Sequence, residues 1–333
     1  MRYEEAGVQI EAKAEALKRA KEAIAATYTP EVLRGLGAFG GLFDAGRLKE
    51  MAHPVLVATT DGVGTKTLLA LRAGDVSGLG FDLVNHSVND LLAQGALPLF
   101  FMDYLAASRL EEGVLSALLS SLAEACRALG IPLLGGETAE MPGVYREGAW
   151  DLAGTLVGVV EKEEVLGPER VREGDVLLAL PSSGPHTNGY SLIRKVVEGM
   201  DLEGHVAELG ESLKAALLRP HRAYLKEFLT LREADVELHA VAHITGGGLP
   251  ENLPRALPEG LGAEIHKGSW PIPPIFPYLQ RRGNIPEEEM YRVFNMGLGL
   301  ILVLPEKDAH RALELVEGFL VGRVVAGSGI RLV

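Results

Sequence analysis

Cysteine is almost absent from this chain. One residue, Cys126, occurs in 333, so no intrachain disulfide can form and a reduced, cytoplasmic setting is expected. Cys126 falls in residues 111–129, where Val114, Leu115, Leu118, Leu122 and Leu129 recur at helical spacing, and it reads as a core residue. Also missing is any run near the ~18 apolar residues that a membrane helix requires. The opening residues Met1-Arg2-Tyr3-Glu4-Glu5 carry no apolar signal region, and no membrane partner is expected. Positive charge is in deficit: a net charge of -13 excludes the broad basic footprint that binds nucleic acid. An anionic small substrate would then need local neutralisation by glycine turns, a few Lys or Arg residues and a divalent cation.

What remains is an ordinary globular composition, 47% apolar and 23% charged, in a chain long enough for two well-buried domains. The charged stretch 161–173 is the best boundary. Residues 11–26 read as a weakly anchored helix, residues 31–34 as a short helix after Pro30, and the glycine-rich 35–41 as a loop, with Asp44 at its end. Apolar positions 81, 84, 88, 91 and 92 predict a helix over residues 79–92 that gathers Asp82, Asn85 and Asn89 on another face. That face is either a polar cluster around Asn89-Asp90 or simply solvated. His86 reads as a surface or hydrogen-bonded residue and not as a metal ligand.

The chemistry concentrates where apolar runs meet glycine. Pro54-Val55-Leu56-Val57-Ala58 reads as a buried strand, followed by Asp61-Gly62-Val63-Gly64-Thr65-Lys66 and a helix start. Two glycines one residue apart turn backbone N–H groups toward a ligand, and the helix beginning beyond them favours an anion. Asp61 and Lys66 suit a metal-bound polyphosphate, the one reaching Mg²⁺ and the other the phosphates. A plain glycine loop with a solvated Lys is the alternative. The Walker loop and the dinucleotide fingerprint both fail here, because Gly-Lys-Ser/Thr is lacking and Thr67 stands where a third glycine is needed.

Three more strands run into such turns. Ile131-Pro132-Leu133-Leu134 enters Gly135-Gly136-Glu137, with Glu137 able to reach a metal. A strand over residues 175–180 opens into Pro181-Ser182-Ser183-Gly184-Pro185-His186-Thr187-Asn188-Gly189, dense in small hydrogen-bonding groups, with His186 placed to donate to a substrate or exchange a proton with it. A capping and turn cluster is the competing account. Residues 240–244 lead into Thr245-Gly246-Gly247-Gly248, where three glycines bring backbone close to something, naturally a phosphate monoester. Residues 151–160 read as a closing strand, 271–277 as a rigid proline-rich connection, 286–290 as a helix start and 300–304 as a buried strand.

Together with Ser87-Val88-Asn89-Asp90, Pro98-Leu99-Phe100-Phe101-Met102-Asp103-Tyr104, Thr138-Ala139-Glu140-Met141-Pro142-Gly143 and His243-Ile244, these motifs resemble the aminoimidazole ribonucleotide synthetase family, the phosphoribosylformylglycinamidine cyclo-ligases. The resemblance implies an α/β (α+β) chain of two domains. Residues 1–165 would form a mixed-sheet ATP-binding domain that dimerises, and 166–333 an α/β substrate-binding domain. It implies that formylglycinamidine ribonucleotide and ATP give aminoimidazole ribonucleotide, ADP and phosphate, with Mg²⁺ and K⁺ as cations and a homodimer as the assembly. On that pattern Lys66 and His186 are catalytic. ATP meets Asp61, Gly62, Gly64, Thr65, Lys66, Asn89 and Asp90, and Mg²⁺ meets Asp61, Asp90 and Glu137. The substrate meets Ser182, Ser183, His186, Asn188, Thr245, Gly246 and Gly247.

Gln9 departs from the pattern, standing where Asp is expected. Among relatives of this architecture, selenophosphate synthetase needs a reactive cysteine or selenocysteine near its N-terminus and a hydrogenase-maturation dehydratase a C-terminal cysteine, and neither matches Cys126. Thiamine-monophosphate kinase would lack the Pro185-His186-Thr187-Asn188 loop, and formylglycinamidine ribonucleotide synthetase is longer or glutaminase-assisted. A regulator that binds nucleotide without turnover is the rival from another class, and the intact acidic and His positions weigh against it.

Overall fold

The computed structural model describes residues 20–109 and 111–333, so Gln9 and residues 11–19 of the expected first helix lie outside it. Residues 20–25 are helical, with Ala20 and Ile24 buried. The chain divides into two compact units. The first holds the described residues up to Leu91 and Leu97–Lys162, the second Leu92–Ala96 and Glu163–Val333. Among the described residues no helix is long and apolar enough to cross a membrane.

In the first unit, β1 (Val32–Arg34) and β2 (Leu42–Phe43) form a small antiparallel pair. The short helix expected at residues 31–34 is therefore a strand: β-branched Val32 favours extended backbone, and β2 supplies the partner that a local reading cannot see. The main sheet is built from β3 (Pro54–Gly62), β4 (Leu97–Ala107), β5 (Leu133–Glu140) and β6 (Trp150–Glu161) in the order β3-β6-β4-β5. β6 runs antiparallel to β3 and β4, while β5 runs parallel to β4, which makes the sheet mixed. β6 is the strand expected over residues 151–160, and it lies inside the sheet between β3 and β4.

Alternation along these strands fixes two faces. Phe101, Leu105, Leu152, Leu156 and Val160 are buried, and this face is covered by helix Leu79–Leu92, whose Leu83 and Leu91 reach the sheet at Gly154 and Gly158. Helix Glu112–Ala128 crosses it closely at Gly80, where an added Cβ would lie 2.2 Å from the Leu122 nitrogen. Cys126 is fully buried, as read from its spacing.

The second unit carries β7 (Val176–Pro181), the small pair β8 (His205–Val206) and β9 (Glu211–Ser212), β10 (Ala240–His243), β11 (Leu261–Ile265), β12 (Leu298–Leu304), β13 (Phe319–Ala326) and β14 (Ile330–Leu332). Six of these form one sheet in the order β10-β12-β7-β13-β11-β14. All seven residues of β12 are buried, so both its faces are covered and its sequence is a continuous apolar run without alternation. The rigid proline connection ends earlier than expected, because helix Ile275–Gly283 begins before Pro277 and holds it in the first turn, where a missing N–H costs nothing.

Both sheets bring strand ends together. β7 and β10 each run antiparallel to β12, so they run parallel to one another. The loops after β7 and β10 and the segment before β12 therefore share one edge. In the first unit the same logic gathers the ends of β3, β4 and β5 at the start of β6.

Gly154 tests the packing of the first unit. An added Cβ would meet the Phe101 ring at 2.2 Å and Leu83 at 3.1 Å. Gly154→Ala is expected to cost about 1–3 kcal/mol by overpacking, measured as a lower urea midpoint with an unchanged slope.

Candidate functional site

In the first unit β3 continues through Asp61 and Gly62 before the chain bends at Gly64, whose φ of +69° suits glycine. The Thr67 hydroxyl donates to the Gly64 carbonyl at 2.8 Å, and helix Lys66–Arg72 begins. Asp61 accepts the Gly62 N–H at 2.6 Å through one oxygen and meets His86 Nε2 at 2.8 Å through the other. His86 Nε2 also lies 3.7 Å from Asp90, whose carboxylate accepts from the Thr59 hydroxyl at 3.2 Å. Asp61, His86 and Asp90 thus form one cluster. Burial works to lower the His86 pKa, but the Asp61 hydrogen bond and the Asp90, Asp61 and Asp82 charges outweigh it, and the net shift is upward.

Helix Leu79–Leu92 does not present a solvated polar face. Asp82, Asn85, His86, Ser87 and Asn89 are all buried. Lys66 is not solvated either: it is 0% exposed, and its Nζ lies 2.8 Å from each carboxylate oxygen of Asp82. Burial lowers the Lys66 pKa and the Asp82 charge opposes that shift.

Register separates Glu137 from these groups. Asp61 pairs with Gly154, Gly154 with Asp103 and Asp103 with Gly136, so both aspartates belong to the helix-covered face. Glu137 pairs with Tyr104 on the opposite face and is exposed. The turn expected at Gly135-Gly136 is a continuation of β5. Gly136 is needed there for space, because an added Cβ would sit 2.1 Å from an Asp103 carboxylate oxygen. Burial pushes the Asp103 carboxyl up to about 7, its own backbone N–H works against this, and the Glu137 charge adds to it.

The second unit builds its loops from side-chain to backbone bonds. Asn295, fully buried, accepts from the Ser182 hydroxyl at 3.0 Å and the Gly297 N–H at 2.9 Å, and donates to the Gly184 carbonyl at 2.9 Å. The Ser183 hydroxyl donates to the Pro220 carbonyl at 2.6 Å and the Ser183 N–H to His186 Nε2 at 3.1 Å. His186 is buried, with a φ of +60° that this bonding maintains. The Asn188 Nδ2 is buried with no partner among the described residues, and its Oδ1 would lie 3.5 Å from a Cβ at Gly246. The loop after β7 and the turn after β10 therefore meet. Asn252 Nδ2 holds that turn, donating to the Thr245, Gly246 and Gly248 carbonyls at 3.3, 3.0 and 2.9 Å. Gly247 at φ +93° and Gly248 at φ +57° complete it.

The sequence reading missed Asn252, Asn295, His221 and Asp103 as members of these sites. Asn295 sits just before Met296-Gly297 and Asn252 just past the triple glycine, which is the only local signal either gives. His221, between Pro220 and Arg222, gives none.

Residues 44–160 match the AIR synthase related protein, N-terminal domain, and residues 172–333 the AIR synthase related protein, C-terminal domain. The protein is thus of the two-domain AIR synthase related class. A phosphoribosylformylglycinamidine cyclo-ligase of Nitrosococcus oceani is 48% identical over 97% of this chain and 91% of its own, and one of Oceanobacillus iheyensis is 44% identical over 98% of each. The chain belongs to the phosphoribosylformylglycinamidine cyclo-ligase family. Among solved structures, thiamine-monophosphate kinase from Stenotrophomonas maltophilia superposes with a TM-score of 0.69 over 95% of each chain at 21% identity, a likeness of fold alone.

Asp103 makes stability depend on pH. Its folded pKa of about 7 lies above the ordinary 3.8, so between these values the native state holds a proton that the unfolded chain has released, and stability falls as pH rises through the window. His86, also shifted upward, adds a loss of the same sign as pH rises through its folded pKa. Asp103→Asn removes the first contribution. Its urea midpoint relative to wild type is expected to be higher at pH 8 than at pH 5, and an equal difference at both would assign the pH dependence elsewhere.

Proposed function

We propose that this chain closes formylglycinamidine ribonucleotide to aminoimidazole ribonucleotide, converting ATP to ADP and phosphate, as a cytoplasmic step of purine biosynthesis. Membership of the cyclo-ligase family over nearly the whole chain carries this reading. The unpartnered Asn188 amide beside the glycine turn supports a ligand at that edge, because a buried donor without an acceptor costs about 1–3 kcal/mol.

Each unit takes one ligand in this proposal: residues 1–165 form the ATP-binding and dimerisation domain and residues 166–333 the substrate domain. ATP lies against Asp61, Gly62, Gly64, Thr65, Lys66, Asn89 and Asp90, around the bend at Gly64 where helix Lys66–Arg72 begins. Mg²⁺ fits Asp61 and Asp90, hard carboxylate donors already drawn to one cation-like neighbour, His86. When bound it would neutralise phosphate charge. Glu137, exposed on the opposite face, is the third carboxylate proposed for the metal, and K⁺ completes the cation requirement. Lys66 acts from behind the turn, sharing its charge between Asp82 and the phosphates.

In the second unit Ser182 and Ser183 shape the loop, while His186, Asn188, Thr245 and the N–H groups of Gly246 and Gly247 face the substrate. With Nε2 accepting the Ser183 N–H, neutral His186 carries its proton on Nδ1 and donates from there. The chemistry sets the role of ATP. A formamide carbonyl does not lose its oxygen as hydroxide to an amidine nitrogen, so the oxygen must first be phosphorylated; nitrogen then attacks carbon, the ring closes and phosphate leaves. Positioning and charge neutralisation supply most of the acceleration of such a transfer.

The outward face of the first sheet supports the homodimer. Leu56 is 63% exposed and Tyr104 38%, and Ala58, Val157, Val159 and Phe100 share their face by register. A solvated antiparallel face would carry polar residues there. Leu56→Asp is expected to shift the sedimentation coefficient from dimer to monomer with the circular dichroism unchanged; a monomeric wild type would end the dimer proposal.

Substrate labelled with ¹⁸O in the formyl group tests the function itself. The label should appear in inorganic phosphate, and ADP release should depend on the substrate. Unlabelled phosphate, with formyl exchange excluded by a control, would show that water cleaves ATP and that the oxygen leaves by another route.

A further inference from the structure

The loop that carries His186 and Asn188 leaves β7 where β12 is irregular. Leu298 pairs with Pro181 and Leu300 with Leu180, so Gly299 is one residue more than the ladder needs. Such a bulge bends its strand and re-aims what lies beside it. Space explains the glycine. A Cβ on Gly299 would lie 1.8 Å from the Tyr224 hydroxyl oxygen and 2.8 Å from His186 Cε1, both too close for a carbon atom. The bulge is therefore a notch in which Tyr224 and His186 are both seated.

Tyr224 belongs to a short segment, residues 219–224, that runs from helix Leu213–Leu218 to helix Leu225–Glu233. Most of this segment touches the loop. Arg219 Nη1 donates to the Ser183 carbonyl at 3.3 Å, the Pro220 carbonyl accepts from the Ser183 hydroxyl at 2.6 Å, and the His221 ring stacks on His186 with centroids 3.8 Å apart. Arg222 Nη1 and the Tyr224 hydroxyl both donate to the Pro181 carbonyl, at 3.2 and 2.9 Å. The two arginines are fixed in turn. Arg219 Nη2 donates to both oxygens of Glu211 and Arg222 Nη2 to Glu227, and the Arg222 guanidinium lies over the Tyr224 ring, 5.4 Å from its centroid.

Tyr224 makes the strictest demand of this segment. It is fully buried, and burial pushes its phenol up, so the hydroxyl keeps its proton and remains a donor that must find an acceptor. The Pro181 carbonyl is that acceptor, on the last residue of β7 before the loop begins. The next residue is held from the other side, where the Ser182 N–H donates to the Gly297 carbonyl at 2.8 Å and its hydroxyl to Asn295. The root of the loop is thus fixed twice, at Ser182 by the approach to β12 and at Pro181 by Tyr224.

We propose that Tyr224 is a positioning residue for the substrate loop: its hydroxyl, seated in the Gly299 notch, anchors the Pro181 carbonyl and so fixes where His186 and Asn188 stand. The consequence for turnover rests on the function proposed above, in which this loop meets formylglycinamidine ribonucleotide and the first unit meets ATP. A displacement at the root of a loop is carried to every residue beyond it, whereas the strands below are held by their own ladder. Loss of the anchor therefore acts on the substrate half of the reaction and spares the nucleotide half.

Tyr224→Phe removes one oxygen atom and keeps the ring. Amide hydrogen exchange of the intact protein, without ligands, reads the loop directly. The Ser183 N–H, which donates to His186 Nε2, should exchange about tenfold faster in the variant, while Leu178 and Ala179, held between β12 and β13, keep their wild-type rates. Because small misplacements of reacting groups are costly, kcat/KM for formylglycinamidine ribonucleotide should fall roughly a hundredfold at an unchanged KM for ATP. Gly299→Ala, whose Cβ would displace the same hydroxyl, should reproduce both effects. Equal acceleration of Ser183, Leu178 and Ala179 would make Tyr224 a general stabiliser and overturn the proposal. So would an unchanged Ser183 rate, an unchanged kcat/KM, or a loss shared equally between substrate and ATP. The exchange measurement needs no turnover: if the ¹⁸O label failed to reach phosphate in the wild type, the proposed reaction would fall, and the Ser183 rate would still decide the role of Tyr224.

Discussion

The first unit depends on a buried ion pair. Lys66 opens the helix after the glycine bend, Asp82 lies in the first turn of helix Leu79–Leu92, and the two meet at 2.8 Å with neither side chain exposed. Removing one partner of such a pair typically costs about 3–5 kcal/mol, because the other is left charged in a poor solvent. That penalty fixes the bend relative to the helix that carries His86, Asn89 and Asp90. It also alters the meaning of the lysine. In the proposed function a phosphate reaching Lys66 would have to share it with Asp82.

Strand direction and register then sort the candidate residues. Period-two alternation sends Asp61 and Asp103 to the helix-covered face and Glu137 to the other, although register makes all three near neighbours across the sheet. In the second unit β12 imposes a common direction on β7 and β10, and that alone brings loops about sixty residues apart in sequence into contact near Gly246. Side-chain amides finish the job that glycine begins. Asn252 binds three carbonyls and the Thr245 hydroxyl, and Asn295 binds three backbone or hydroxyl groups, which limits the conformations of turns that glycine would otherwise leave open.

Much of this was legible in the sequence because it depends on local patterns. The helix over residues 79–92, the strands before Asp61, Ser182 and Thr245, and the buried Cys126 all follow from periodicity and turn chemistry. What escaped depends on partners distant along the chain. Residues 31–34 became a strand because β2 pairs with them, and β5 runs on through Gly135-Gly136 because Asp103 from β4 occupies the space where a side chain would stand. Periodicity grouped Asp82 with Asn85 and Asn89, but only the meeting of Asp82 with Lys66 shows that this face is buried and not solvated.

The histidines show the same limit in its strongest form. His186 is conspicuous in a loop of small polar residues, yet its protonation is decided by the Ser183 amide, and its ring is held by His221, a residue with no local signature. A chain read in one dimension reveals which groups are able to exchange protons; the number of protons they hold together is a property of distances. His221 Nε2 and His243 Nε2, 3.0 Å apart, leave space for one hydrogen between them, and nothing local to either residue in the sequence announces that meeting.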